Sequence, residues 1–242
     1  TTSVNLHKVL HAALSLKSGR NKVIAEADCF PSDLYVLEGV KSLRPDLEIL
    51  LEGRDGSSIH EMLDEQVAAV LINHVDYRSG TIRDMENLTR QVQEFGGLTV
   101  WDLSHSAGIF PVQLNRCRVD FAVGCTYKYL NGGPGAPAYL YAASRHHTAC
   151  NQPLSGWFGH ARPFDFERHF DPDSGIRRFV CGTQPILSLR ALQSGLEIYQ
   201  DVSLQQVREK SMALTDLFIK LLKNECACLL YTSDAADDTS RG

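Results

Sequence analysis

Short β-branched apolar runs alternate with amphipathic stretches over the first 142 residues, and that rhythm leaves few folds open. The strand-like runs are 22–27, 47–51, 67–72, 98–103, 119–124 and 137–142. Between them, 32–43 places Leu34, Leu37, Val40 and Leu43 at helical spacing. Ser58 followed by Glu61 is a capping box, which predicts a short helix starting there. The stretch 83–95 carries Met85, Leu88, Val92 and Phe95, with Gly96 and Gly97 as its stop. Strand, helix, strand repeated this often predicts an α/β fold: a mostly parallel sheet, built by right-handed crossovers, with helices on both faces.

The rhythm stops after Ala143. Residues 151–183 are rich in Gly, Pro, aromatics and charges and read as a loop-dominated crossing segment. Two helices are expected after it, 185–199 and 204–223. The expected division is a large domain over 1–155, a crossing segment with the start of a smaller C-terminal domain over 156–230, and a tail. The tail, 231–242, is polar, small and aperiodic and reads as non-native or disordered sequence.

Composition narrows the partners. A net charge of -5 with scattered basic residues disfavours nucleic acid and anionic membranes. No apolar run approaches the roughly 20 residues of a membrane span, and the opening residues show no leader pattern. The seven cysteines are irregularly spaced, which points to reduced thiols in a cytoplasmic protein rather than a disulfide framework or a zinc site.

The chemistry concentrates in two places. Lys128 lies just past a buried run, within a segment whose Gly132, Gly133, Pro134 and Gly135 forbid regular structure. Ligands of open α/β sheets sit beyond the carboxyl ends of strands, and a lysine there can form an imine with an aldehyde. Alone, such a lysine is more often a solvated loop residue. Asp102, at the end of the preceding strand, strengthens the case, because a buried carboxylate needs a cationic partner. Taken singly, Asp102 reads equally as a helix N-cap, and His105 as a satisfied loop histidine.

Asp102 and His105 together with the run 127–135 resemble the aminotransferase class V group of pyridoxal-phosphate enzymes, and within it the kynureninase family. Phe30-Pro31-Ser32-Asp33, 74–80, 156–160 and 182–187 agree in order, so the resemblance spans about the first 225 residues. It implies the fold-type-I architecture and pyridoxal 5'-phosphate as cofactor. Lys128 would form the internal aldimine, Asp102 would pair with the pyridine nitrogen, and His105 would lie near the phenolic oxygen. Phe30 would stack on the ring. Thr2, Ser3, Pro31, Ser32 and Asp33 would lie at the phosphate and ring, and Asn73 at a cofactor-contacting position. Tyr127 would donate to the phosphate and shuttle protons. Trp157 and Thr183 would complete the phosphate cup from the partner subunit of a homodimer. From the residues alone, Trp157 and Phe30 could equally be core aromatics and Ser3 a helix cap. Asp76 stands where the family pattern leads one to expect Asn.

The implied reaction is hydrolysis of the Cβ–Cγ bond of L-kynurenine or 3-hydroxykynurenine, giving an anthranilate and L-alanine. The alternatives are another class V enzyme, such as a cysteine desulfurase or an aminotransferase, or a remnant that only dimerises. Retention of Lys128, Asp102 and Tyr127 favours catalysis. The resemblance also implies that family segments before Thr1 and beyond Cys228 are missing, so that the fragment alone is expected to be inactive.

Overall fold

The computed structural model describes residues 1–54 and 56–225; Cys226, Cys228 and the 231–242 tail lie outside the described residues. The first element, α1 (Thr2–Leu16), is followed by β1 (Lys22–Glu26), α2 (Pro31–Leu43), β2 (Glu48–Glu52), α3 (Ile59–Met62), β3 (Val67–Asn73) and α4 (Met85–Glu94). Then come β4 (Leu98–Asp102), β5 (Phe121–Gly124), β6 (Tyr139–Ala142), α5 (Ile186–Glu197) and α6 (Leu204–Glu225). The six strands read from sequence all form, with ends shifted by one or two residues. Short 3-10 turns such as Trp157–Gly159 and Ile176–Phe179 break up the loop-rich segment.

The strand order is β2-β1-β3-β4-β5-β6, parallel except for β6, which pairs antiparallel to β5. Every residue of β3 is buried, as a central strand covered on both faces requires. One face carries Val23, Ala25, Leu71, Val100 and Phe121 under α1 and α2. The other carries Ile24, Val70, Ile72 and Trp101, packed with Met85 and Val92 of α4.

Local signals behave as the chemistry dictates. Ser58 and Glu61 form the reciprocal capping box. Asp84 caps α4 by accepting the Asn87 N–H at 3.0 Å. Gly96 ends the helix at φ +75°, a conformation that glycine adopts without a Cβ penalty.

The helix that sequence reading did not assign is α1. Its Leu6, Val9, Leu10, Ala13 and Leu14 are fully or almost fully buried, and it lies across β3, β4, β5 and β6. Its N-cap is Thr1, which accepts the Val4 N–H at 3.3 Å, so Ser3 lies inside the first turn rather than at the cap. By contrast α5 and α6 bury no residue among those described. The Tyr199 hydroxyl ties the end of α5 to the carbonyls of Gly108 and Tyr129. No helix among the described residues is long and apolar enough to cross a membrane.

Candidate active site

The chain leaves β1 for β2 on one side and returns to β3 on the other, so the crevice beyond β1 and β3 is the switch point of the sheet. Register aligns the strand ends there: Asn73 pairs with Asp102, and Asp102 with Val123. Adjacent to this crevice lies a cavity of about 200 Å³ lined by Thr1, Thr2, Ser3, Phe30, Ser32, Asp102, Ser104, His105, Cys125, Tyr127 and Lys128. Eight of these are residues or neighbours singled out from sequence: Thr2, Ser3, Phe30, Ser32, Asp102, His105, Tyr127 and Lys128.

Lys128 is half-buried, and its Nζ lies 2.7 Å from His105 Nε2. The same Nζ lies 5.5 Å from the Phe30 ring centre and 5.7 Å from that of Tyr127. Burial and the neighbouring Lys128 charge hold the His105 imidazole below its ordinary value. A neutral ring results, able to accept a hydrogen bond from the amine.

Asp102 is buried, and its Oδ1 accepts the Ser104 N–H at 2.6 Å. That is a turn bond to the second residue on, followed by turns rather than a helix, so Asp102 is not a helix N-cap. Burial pushes its carboxyl up, against the Ser104 hydrogen bonds and the charges of His105 and Lys128. Asp33 is also buried and pushed up, first by burial and then by Asp102, while Asn73 opposes the shift. Tyr127 is raised by burial, then by Cys125 and Asp102, which keeps its phenol protonated.

Two helix starts face this region. Thr2 and Ser3 open α1, whose first turn carries no acid, and Pro31 to Asp33 open α2. Unpaired N–H groups at the start of a helix as long as α1 favour an anion. Phe30 is 40% exposed and Trp157 45%, so neither is a core aromatic.

Asn73, Asp33 and Pro31 do not line the cavity. The first two are buried beside it, and Pro31 is exposed at the start of α2. Trp157 and Thr183 lie elsewhere. Trp157 lines a separate cleft with His160, Pro163 and Phe166, its Nε1 donating to the Pro163 carbonyl at 2.6 Å, and Thr183 is exposed.

Sequence reading passed over Ser104, Cys125 and Tyr77. Ser104 was legible as the second residue after an Asp that ends a strand. Tyr77 meets the Phe30 ring edge-on at 5.3 Å and stacks on His105 at 6.2 Å. Nothing local marks Cys125; it reaches the cavity because β5 lies beside β4.

The family model described as aminotransferase class V matches residues 39–241. A kynureninase of Burkholderia mallei is 45% identical over 94% of this chain and 56% of its own length. One of Pseudomonas fluorescens is 43% identical over the same shares. The chain thus spans little more than half the length of these relatives. Among solved structures, a cysteine desulfurase from Escherichia coli matches with a TM-score of 0.73 at 17% identity, over 92% of this chain and 56% of that one. An alanine–glyoxylate aminotransferase from Nostoc matches at 0.62 and 18%, over 89% and 57%. At such identities the structural likeness speaks for the fold alone.

Proposed function

Because the chain belongs to the aminotransferase class V family, we propose that it forms the cofactor-holding part of a pyridoxal-phosphate-dependent kynureninase. The whole protein would hydrolyse the Cβ–Cγ bond of L-kynurenine or its 3-hydroxy form to an anthranilate and L-alanine. The observation that carries this reading is the convergence of Lys128, His105 and buried Asp102 on one cavity at the start of α1. The kynureninase relatives at 43–45% identity supply the substrate class.

The residues present fit the cofactor. Among the described residues no cation directly contacts the buried Asp102 carboxylate, and a protonated pyridine nitrogen would supply one. The acid-free start of α1 suits a phosphate, the exposed Phe30 ring suits a flat heteroaromatic face, and among the described residues Lys128 is the one lysine lining the cavity. When bound, pyridoxal phosphate supplies an electron sink conjugated to the substrate's amine.

The chain's own groups do the rest. Lys128 Nζ would hold the cofactor, and its amine would move the proton at the substrate's Cα. Neutral His105 accepts from Nζ and orients it. Asp102 would hold positive charge on the ring nitrogen. Tyr127, protonated and half exposed, would donate to the phosphate and would serve as the acid at the carbon–carbon cleavage. Thr2, Ser3 and Ser32 would seat the phosphate and ring, with Asp33 and Asn73 buried beside them. Trp157 and Thr183 act on the site of a second copy in a homodimer, whose sedimentation as an active monomer would exclude that role. We place the whole protein in the reducing cytoplasm, the setting that its irregularly spaced cysteines favour.

Borohydride treatment of the chain with added pyridoxal phosphate, followed by peptide mapping, is expected to place the reduced cofactor on Lys128. Label on Lys210 or Lys220 instead would remove the assignment.

A further inference from the structure

Glu26 and Glu52 end the adjacent strands β1 and β2 in direct register, which sets two carboxylates side by side. Their side chains are only 13% and 12% exposed, so neither charge is well solvated. Arg83 lies across both, with Nε 2.7 Å from Glu26 Oε1 and Nη2 2.5 Å from Glu52 Oε2. The bridge offsets a repulsion that burial would otherwise make severe.

Glu26 reaches further than Glu52. Its second oxygen accepts the backbone N–H of Asn73 at 2.8 Å. The Asn73 side chain then makes two bonds: Oδ1 accepts the Phe30 N–H at 3.1 Å, and Nδ2 donates to Asp33 Oδ2 at 2.8 Å. The orientation is forced, because a backbone N–H only donates and so the amide oxygen must face Phe30. One residue at the end of β3 thereby ties the loop after β1 to the first turn of α2, across the switch point.

We propose that Glu26, held by Arg83, is a positioning residue of the cofactor site, fixing Asn73 and through it the Phe30 ring and the Asp33 carboxylate. This rests on the reading that the site takes pyridoxal phosphate. Glu52 shares the ion bridge but has no hydrogen bond to Asn73, so the two glutamates separate positioning from plain stability.

Glu26→Gln and Glu52→Gln are compared in the full chain with pyridoxal phosphate as the probe. Both should lower the thermal midpoint. Only Glu26→Gln should weaken cofactor binding, about tenfold for a lost charge-assisted bond, and diminish the circular dichroism that a fixed seat imposes on the bound cofactor. Equal cofactor effects in both variants, or none in either, overturn the proposal. If Glu26→Gln does not fold, Glu26→Asp against Glu52→Asp gives the same comparison with charge retained. If the unsubstituted chain takes up no cofactor, the cofactor reading is what fails. Amide hydrogen exchange then decides the positioning role: Phe30 and Asn73 should exchange faster in the Glu26 variant than in the Glu52 variant, and equal rates would refute it.

Discussion

Asp102 shows how one buried group carries several consequences. The carboxylate is almost sealed from water, its nearest donor is the Ser104 N–H, and it faces Lys128 and His105 only at the distance of charge–charge influence. An opposite charge brought beside such a group shifts a titration by roughly 1–3 units, each worth about 1.4 kcal/mol. If the proposed function holds, Asp102→Asn in the whole protein should therefore keep the cofactor on Lys128 yet slow kynurenine turnover by roughly ten- to a thousandfold. Asp102→Glu, which retains the charge at a shifted distance, should be milder. Near wild-type turnover in the Asn variant would reduce Asp102 to a turn residue.

At the scale of elements, α1 is central. One edge of it contributes to the sheet's core, and its first turn lines the candidate site. Leu10 is fully buried, while Val4 on the same helix is 42% exposed. Leu10→Ala should lose about 2–5 kcal/mol of stability by leaving a cavity, and Val4→Ala within about 0.5 kcal/mol. Denaturant midpoints for the two variants check this, and similar losses would mean that α1 is not docked as described. The α5 and α6 helices behave differently. Leu187 is 87% exposed and Phe218 62%, so their apolar residues contribute almost nothing to the core of the described chain.

For the whole molecule, the pH dependence of stability is a balance of buried groups with opposite signs. Burial lowers His74, packed between Trp101 and Phe110, to about 4 from an ordinary 6.5. The unfolded chain then takes up the proton first as pH falls, so His74 costs stability progressively between pH 6.5 and about 4, by at most about 3 kcal/mol. Asp33 and Asp102 are raised by burial, so acid relieves their penalty over an overlapping window. The net slope therefore mixes the two effects, and a variant isolates one of them. His74→Phe keeps the ring contacts and removes a buried Nδ1 that has no partner among the described residues. Its melting midpoint should rise above that of the unsubstituted chain increasingly as pH drops below 6.5. A constant difference across pH would show that His74 does not titrate in that window.

The strands of this protein were determined by sequence alone, because a strand buried on both faces must be a continuous apolar run, as Val67 to Ile72 is. The capping box at Ser58 and the Gly96 stop were equally local and equally legible. The residues that carry the family resemblance also singled out Asp102 and Lys128, which line one cavity. The helical spacing of Leu6, Val9, Leu10, Ala13 and Leu14 is present too, but only the sheet they pack on marks them as a core helix. Other features had no local signature. Glu26, Glu52, Asn73 and Arg83 meet only because β1 lies between β2 and β3, and Cys125 reaches the cavity only because β5 lies beside β4. Sequence determines which stretches must hide from water, since that depends on each residue's own chemistry. Strand order decides which polar ends meet, since that depends on neighbours brought from far along the chain.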